Sequence, residues 1–289
     1  VTARHASHVA KSAGSESQNR EREAIIAGDV LGMAGGLHAE VGVGTAPAHG
    51  QVADEHHPAT VAFRALGGVG AVWTSTDIPM GRGLGYSGAV RVGGAAAAVV
   101  QSSGSEGLGD PEQRRRILSV TTELEHHADN VAASLEGGVV VAAADTVTRV
   151  RMAFDPAVVV WIPDRTTTST DRSRTTLPAT VSRSDAVFNI GRAAMFVAAC
   201  AAGDPSRLRA ATEDRLHQAI RLAEVEPSAP AMEAALEGGA WAAWLSGSGP
   251  TVAMFCESAR ADELAGAMPA GGHAKVLRID HEGAVVVRA

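Results

Sequence analysis

Cysteine is scarce in this sequence. The 289 residues contain two cysteines, Cys200 and Cys256, and both lie inside apolar segments. Two isolated thiols exclude a disulfide framework and do not form the spaced ligand sets of a zinc site. We therefore expect two buried free thiols and a reducing compartment.

Positive charge and long hydrophobic runs are also scarce. The formal net charge is −7, and the three consecutive arginines of "DPEQRRRILS" are expected to lie on the exposed face of a helix. Because there is no basic patch, we do not expect a nucleic-acid partner. No apolar run approaches the roughly 20 residues that cross a bilayer, and the first residues contain no signal-peptide core. We therefore expect a cytoplasmic protein without a membrane partner.

The hydrophobic pattern predicts an α+β protein of two lobes. Leu37, Ala39, Val41 and Val43 alternate with His38, Glu40 and Gly42, which predicts a half-buried strand. Predicted strands and helices then mix along the chain without a regular βαβ repeat. We predict an N-terminal domain over residues 1–154 and a C-terminal domain over residues 155–289.

Local signals predict the other elements. Asp110 followed by Pro111 predicts the start of a helix. The other predicted helices are "ATVAFRAL", "VRVGGAAAAVVQ", "DAVFNIGRAAMFVAACAAG", "DPSRLRAATEDRLHQAIR" and "SARADELAGAM". The other predicted strands are "GAVWTSTDIP", "GGVVVAA", "AVVVWIP", both arms of "WAAWLSGSGPTVAMFC", "AKVLRID" and "GAVVVRA". The segment "PAHGQVADEHHP" is predicted to be a loop whose histidines face solvent.

A glycine-rich loop, "IPMGRGLGYSGAV" at residues 78–90, precedes an alanine-rich helix. Gly81, Gly83 and Gly85 remove side chains from the turn, which lets backbone N–H groups converge on an anion. The first N–H groups of the helix that begins at Ser87 would point into the same turn. A loop of this kind at a helix N-terminus is a phosphate site, although a tight surface turn has the same glycines.

Charged side chains cluster at three other places. The segment "ELEHHADN" ends a predicted helix near Glu125, and its adjacent histidines would point apart, so a transition-metal cage is not favoured. A single carboxylate beside a bound phosphate suits Mg²⁺, which keeps most of its waters. Arg172 and Arg174 in "STDRSRTTLP", and Arg221 in "DRLHQAIR", carry guanidinium forks. Such forks fit a carboxylate or a phosphate, or form surface ion pairs.

These segments, in this order, resemble the GHMP kinases, a family of small-molecule kinases. "PMGRGLGYSGA" is similar to the family's phosphate loop, written P-x-x-x-G-L-G-S-S-A, and "LSGSGPTV" to its C-terminal glycine motif. "HADNVAASLEGGVVVA", "STDRSRTTLP", "SDAVFNIGRAA" and "TEDRLHQAIR" are most similar to the homoserine kinases of that family. The resemblance runs from about residue 60 to the C-terminus. It implies a two-lobed α+β fold, with a ribosomal-protein-S5-domain-2-like N-terminal lobe and a ferredoxin-like C-terminal lobe.

The resemblance also implies an activity and a set of residues. The implied reaction transfers the γ-phosphoryl group of ATP to the hydroxyl of L-homoserine, with Mg²⁺, for threonine biosynthesis; a homodimer is compatible with the sequence. The implied metal ligands are Ser87 and Glu125. The implied catalytic residues are Asn130 and Arg174. The implied substrate-binding residues are His127, Asp129, Asn130, Arg174 and Arg221. The implied nucleotide-binding residues are Pro79, Gly81, Arg82, Gly83, Leu84, Gly85, Tyr86, Ser87, Gly88, Ala89, Gly247, Ser248 and Gly249.

The resemblance fails at the N-terminus. Homoserine kinases begin with a strand and a turn similar to P-A-S-S-A-N-L-G-P-G-F-D, which contributes to the amino-acid site, whereas this chain has "HASHVAKSAGSESQ". Tyr86 replaces the first serine of the loop, and His126 replaces the glycine that usually follows the glutamate. The two lysines, Lys11 and Lys275, lie in no motif of the mevalonate-kinase type, which favours the homoserine type. We expect ATP binding to be retained and homoserine binding to be weakened. A kinase of another small alcohol and a non-catalytic nucleotide-binding relative stay open.

Overall fold

The chain folds around two antiparallel sheets. The computed structural model describes residues 2–6, 31–143, 146–165 and 176–287. The first sheet contains β1 (Thr2–Ala6), β2 (Leu31–Val43), β3 (Gln51–Ala53), β4 (Val72–Thr76), β5 (Val139–Ala143) and β6 (Thr146–Arg149). Its strand order is β3-β4-β2-β5-β6, and β1 pairs with β2. Residues 2–6 therefore form a strand of this sheet.

β2 is the long strand that organises the first sheet. Leu37, Ala39 and Val41 are buried, as predicted, but the predicted alternation is wrong at Val43, which is 37 % exposed at the end of the strand. Residues 39–43 pair with β4, and residues 31–33 pair with β5. One strand thus connects the two halves of this sheet.

Four helices belong to the same lobe as the first sheet. They are α1 (Pro58–Ala65), α2 (Tyr86–Ser103), α3 (Pro111–Glu125) and α4 (Asp129–Glu136). Three of them contact the strands of that sheet, and α3 packs on α2 and α4. The predicted start of α3 is confirmed, because the Asp110 side chain accepts a hydrogen bond from the backbone N–H of Glu112 at 2.9 Å. A Cβ on Gly94 would lie 2.0 Å from the carbonyl oxygen of Ala59, so only glycine lets α1 cross α2 at this point.

The second sheet contains four strands and carries the remaining helices. Its strands are β7 (Ala157–Pro163), β8 (Ala242–Leu245), β9 (Val252–Cys256) and β10 (Gly272–Leu277), in the order β10-β7-β9-β8. The helices are α5 (Arg183–Ala202), α6 (Leu208–Ala211), α7 (Gln218–Leu222), α8 (Ser228–Glu237) and α9 (Ala261–Gly266). Mixed helices and two antiparallel sheets confirm the predicted two-lobed α+β class.

The segment after β10 returns to the first sheet. The backbone N–H of Asp280 donates to the carbonyl of Ala34 at 2.9 Å, and the N–H of Ala284 donates to the carbonyl of Leu135 at 3.0 Å. The prediction of a strand at "GAVVVRA" is wrong for its described part, residues 283–287, which forms no strand element and buries Ala284 in the core instead. The domain boundary between residues 154 and 155 stays a prediction.

The helix predicted over "DPSRLRAATEDRLHQAIR" is wrong as a single helix. It is divided into a 3₁₀ turn, α6 and α7. The break occurs at Asp214, whose Oδ1 accepts hydrogen bonds from the backbone N–H groups of Leu216, His217 and Gln218 at 2.7–3.0 Å. A carboxylate that binds nearby backbone donors competes with the helical pattern.

Two expectations about apolar segments have different outcomes. Cys200 and Cys256 are free and buried, as expected. Burial raises the pKa of both thiols, that of Cys200 to about 11. The expectation that no apolar segment reaches membrane-spanning length is wrong for α5, which is long and apolar enough by length and composition alone.

Candidate active site

The glycine-rich loop connects β4 to α2 in the predicted conformation. Gly81, Gly83 and Gly85 have φ values of 68°, 70° and 66°, in the left-handed region that favours glycine. Leu84, between two of these glycines, is 2 % exposed and anchors the loop in the core. Among the described residues, no side chain caps the N-terminus of α2. Its first N–H groups are therefore available to an anion.

The loop contacts the C-terminal glycine motif directly. The Ser246 hydroxyl donates to the Gly83 carbonyl at 2.8 Å. A Cβ on Gly83 would lie 2.2 Å from the Ser246 carbonyl oxygen and 2.7 Å from that of Gly249. Gly247 and Gly249 also have positive φ values, 64° and 76°. The two predicted nucleotide-binding segments therefore form one surface, although they belong to different lobes.

The Arg82 side chain contacts the second sheet. Its guanidinium donates to the Pro163 carbonyl and, at 3.0 Å, to the Asp164 carbonyl. These carbonyls lie at the end of β7, so Arg82 ties the loop to the second sheet. Its assignment as a nucleotide-binding side chain stays a prediction.

Ser87 and Glu125, the two predicted metal ligands, are in contact. The Ser87 hydroxyl donates to Glu125 Oε2 at 2.8 Å, from the first turn of α2 to the last residue of α3. Arg91, one turn further along α2, donates from Nε to the same oxygen at 2.5 Å. The Glu125 side chain is 12 % exposed. The carboxylate is thus held at the base of the loop by a hydroxyl and a guanidinium.

His127 and Asp129 continue this cluster. His127 Nδ1 and Asp129 Oδ1 are 2.5 Å apart, and His127 Nε2 lies 3.9 Å from Glu125 Oε1. Burial raises the pKa of Asp129 to about 6, and the interaction with His127 opposes that shift.

His126 caps the C-terminus of α3 in the left-handed conformation. Its φ of 64° explains why a glycine is usual at this position.

Asn130 lies against the N-terminal turn of α2. A Cβ on Gly88 would be 3.0 Å from the Asn130 Cβ, so the missing side chain of Gly88 lets α4 approach the loop. Asn130 is 4 % exposed. The structure therefore brings Ser87, Glu125 and Asn130 together beside the phosphate loop.

Arg221 reaches the same region from α7. It is buried, and its NH1 donates to the Gly247 carbonyl at 3.3 Å. The adjacent His217 has a pKa lowered to about 4, mainly by burial and also by the charge of Arg221. Arg174, the second predicted arginine, lies outside the described residues.

The histidines of "PAHGQVADEHHP" include one that does not face solvent. His57 Nδ1 accepts from the backbone N–H of Ala59 at 3.1 Å and caps α1, while its Nε2 lies 2.9 Å from the Tyr86 hydroxyl. Tyr86 is the residue that departs from the family's loop pattern. The prediction of a solvent-facing histidine is therefore wrong at His57.

Three contacts at this site were missed by sequence reasoning: those of His57, Arg91 and Ser246. Arg91 had a signal, because it is the one charged residue in α2 and stands four positions after Ser87. His57 and Ser246 had none that distinguishes them from loop residues, since their partners are distant in sequence.

A separate cavity of about 120 Å³ lies between the two sheets. It is lined mainly by apolar residues such as Met33, Phe196 and Leu245, with His217 at one side. No residue of the phosphate loop lines it. The cluster described above is therefore distinct from this cavity.

Comparisons with known proteins identify the family of the chain. The family model described as "GHMP kinases N terminal domain" matches residues 53–138, which include the loop, and "GHMP kinases C terminal" matches residues 196–274. A homoserine kinase of Streptomyces avermitilis is 35 % identical over 281 residues, covering 90 % of each chain. One of Desulfitobacterium hafniense is 36 % identical over 221 residues, covering 73 % of this chain and 72 % of the relative.

Solved structures share the fold. The crystal structure of homoserine kinase from Cytophaga hutchinsonii superposes with a TM-score of 0.72, at 22 % identity, covering 98 % of this chain and 96 % of the other. With the two matching family models, this shows that the chain belongs to the GHMP kinase family. Within that family it belongs to the homoserine kinases, as the relatives at 35–36 % identity show.

Proposed function

We propose that the chain transfers the γ-phosphoryl group of ATP to the side-chain hydroxyl of L-homoserine, giving O-phospho-L-homoserine. The observation that carries the proposal is the contact of Ser87 with Glu125 at 2.8 Å, directly behind the uncapped N-terminus of α2. Phosphoryl transfer depends mostly on positioning and on stabilising dispersed charge. The loop and the helix N-terminus supply both.

The nucleotide phosphates would be held by backbone N–H groups of the loop and by the start of α2. Gly83 and Gly249 keep the two glycine segments in contact, which places Gly247 and Ser248 beside the loop. The dipole of α2 favours negative charge at this end. These residues are proposed to bind the triphosphate without a lysine.

The donor set fits Mg²⁺. A serine hydroxyl and a carboxylate are hard oxygen ligands, and Mg²⁺ keeps several waters and needs few protein ligands. Among the described residues, no group of three or more His, Cys, Asp or Glu side chains could cage a metal. Ser87 and Glu125 would hold the ion, which would neutralise the charge of the transferring phosphoryl group.

The acceptor alcohol would lie next to Asn130. The Asn130 amide is proposed to orient the substrate hydroxyl, and His127 with its partner Asp129 to shape the same pocket. Arg221, with Arg174, would bind the carboxylate of the amino acid or the transferring phosphate through a guanidinium fork. No side-chain general base is assigned.

The N-terminus is proposed to set the affinity for homoserine. The family turn that contributes to the amino-acid site has no counterpart in "HASHVAKSAGSESQ", and both family models match only after residue 52. ATP binding would be retained, because the loop and the glycine motif are built entirely from later residues. A cytoplasmic location, the absence of nucleic-acid and membrane partners, and a homodimer also stay predictions.

A substrate panel tests the proposal. Release of ADP is measured with homoserine, with other small alcohols and with no alcohol, and Glu125→Gln serves as the inactive control. Stimulation by homoserine above the other alcohols is the expected result. Stimulation by another alcohol alone, or by none, would refute the proposed function.

A further inference from the structure

Arg91 is a cation at a site that the proposed function assigns to another cation. Its Nε lies 2.5 Å from Glu125 Oε2 and 3.3 Å from the Ser87 hydroxyl oxygen. The two charged side chains are 18 % and 12 % exposed. The guanidinium therefore occupies the carboxylate oxygen that Ser87 also binds, in a place with limited access to water.

This ion pair opposes metal binding. Two like charges at one carboxylate repel each other, and the repulsion is stronger at a partly buried site than in water. Oxygen Oε2 already accepts two hydrogen bonds, one from Ser87 and one from Arg91. A divalent ion that binds Glu125 must displace the guanidinium or bind beside it.

The unused donors of Arg91 indicate where the guanidinium could go. Among the described residues, its hydrogen bonds to side chains are both made by Nε, which leaves its terminal N–H groups for another acceptor. The N-terminal turn of α2 lies one helical turn from Arg91, and anions are favoured there. A phosphate group offers oxygens that a guanidinium fork can bind in a bidentate manner.

We propose that Arg91 competes with the divalent cation for Glu125, and that nucleotide phosphate relieves the competition by taking over the guanidinium. The proposal rests on the proposed function, because it uses the same metal and phosphate positions. It makes the binding of metal and nucleotide cooperative. By linkage, the factor by which nucleotide raises the affinity for metal equals the factor by which metal raises the affinity for nucleotide. Metal alone binds weakly.

The first test measures Mn²⁺ binding to the full chain by electron paramagnetic resonance, without nucleotide. Arg91→Gln removes the charge but keeps an amide donor for Glu125. The variant is expected to bind Mn²⁺ about tenfold more tightly than the unmodified chain, within the usual range of coupling between two sites. Arg91→Met, which suits the apolar face of α2, repeats the test if the glutamine variant does not fold.

The matched control is Arg114→Gln. Arg114 Nε also pairs with a glutamate, Glu136 Oε1, at 3.2 Å, and both side chains are partly buried. Because this pair lies away from Ser87 and the loop, its loss should leave Mn²⁺ binding unchanged. An equal gain in Arg114→Gln and Arg91→Gln would mean that overall charge is responsible, and would overturn the proposal.

The second test measures the affinity of a non-hydrolysable ATP analogue by calorimetry, with and without Mg²⁺. In Arg91→Gln the affinity for the analogue without metal should fall about tenfold. The factor by which Mg²⁺ raises that affinity should become smaller, because the coupling through Arg91 is lost. Unchanged Mn²⁺ and analogue affinities in the neutral variants would refute the role of Arg91. Failure of the unmodified chain to phosphorylate homoserine would refute the proposed function instead, because the Mn²⁺ titration does not require turnover.

Discussion

The hydroxyl of Ser246 donates to the carbonyl of Gly83 at 2.8 Å, across 163 positions of sequence. This bond joins the phosphate loop of one lobe to the glycine motif of the other. The missing side chain of Gly83 leaves room for the Ser246 carbonyl, and Gly83 lies in the loop that is proposed to hold phosphate. The contact between the lobes therefore passes through a residue of the proposed nucleotide site.

The first prediction concerns the stability that the contact between Gly83 and Ser246 contributes. Gly83→Ala should lower the free energy of unfolding by about 1–2 kcal/mol for its positive φ and by a further 1–3 kcal/mol for the clash with Ser246. Gly203→Ala is the control, since Gly203 is left-handed with a φ of 72° and its added Cβ would make only ordinary contacts, the nearest at 3.5 Å. Urea unfolding of both variants measures the difference. An equal decrease in the free energy of unfolding in both variants would show that the loop accommodates the added Cβ without weakening the contact between lobes.

The second prediction concerns Glu125. Glu125→Gln removes a charge that would hold Mg²⁺ at the base of the loop, so turnover should fall by roughly 10²-fold or more, the size of losing one electrostatic stabiliser. Glu136→Gln, at the partly buried pair of Arg114 with Glu136, should retain turnover. Steady-state kinetics at ordinary Mg²⁺ measure both. Near-normal activity of Glu125→Gln would remove this carboxylate from the site.

The third prediction concerns the arginine pair. Arg221→Lys keeps the charge beside Gly247 but loses the planar fork, so the Michaelis constant for homoserine should rise or turnover should fall. Arg174→Lys is expected to have the same effect if its side chain faces the same pocket. Kinetics of both variants, each with a thermal melt to verify folding, decide the matter. Wild-type constants in both would identify the arginines as structural or surface residues.

The fourth prediction is a pH dependence that arises at His217. Burial lowers its pKa to about 4 in the folded chain, compared with about 6.5 when unfolded. Between these two pKa values the unfolded state binds more protons than the folded state. The stability that is present above about pH 6.5 is therefore lost as the pH falls toward 4.

The matching experiment compares His217→Gln with the unmodified chain. The free energy of unfolding of the variant, measured in urea from pH 4 to pH 7, should depend less on pH. His49→Gln is the control, because His49 has a side chain that is 62 % exposed. If His217→Gln keeps the full pH dependence, other groups cause it.

Local chemistry made much of this fold predictable. Asp110 and Pro111 define the start of α3 within two residues. The alternate glycines at 81, 83 and 85 predict a loop whose backbone needs positive φ values, and all three have them. The break at Asp214 was not predictable from periodicity, because apolar spacing continues through it while the carboxylate binds three backbone N–H groups.

The site could be predicted only in part for a related reason. Ser87, Glu125 and Asn130 each lie in a recognisable segment, and the fold brings these segments together. The partner of Arg91 is 34 positions away, on another helix. Such a pair is determined by how α2 packs on α3, which the sequence of either helix alone does not contain.

The last prediction tests the segment that departs from the family. The stretch "VTARHASHVAKSAGSESQNR" contains few apolar residues. It also lacks the asparagine and aspartate that the family's turn offers to the amino acid. A family-like turn grafted onto residues 6–16 should lower the Michaelis constant for homoserine and leave ATP affinity unchanged.

A glycine–serine segment of the same length, placed over the same residues, is the control for the graft. It should give no gain for homoserine, because it supplies neither side chain to the substrate. Calorimetry with the ATP analogue and kinetics with homoserine are measured on all three chains. Tight homoserine binding by the unmodified chain would contradict the idea, since the amino-acid site would then be complete without the family's N-terminal turn.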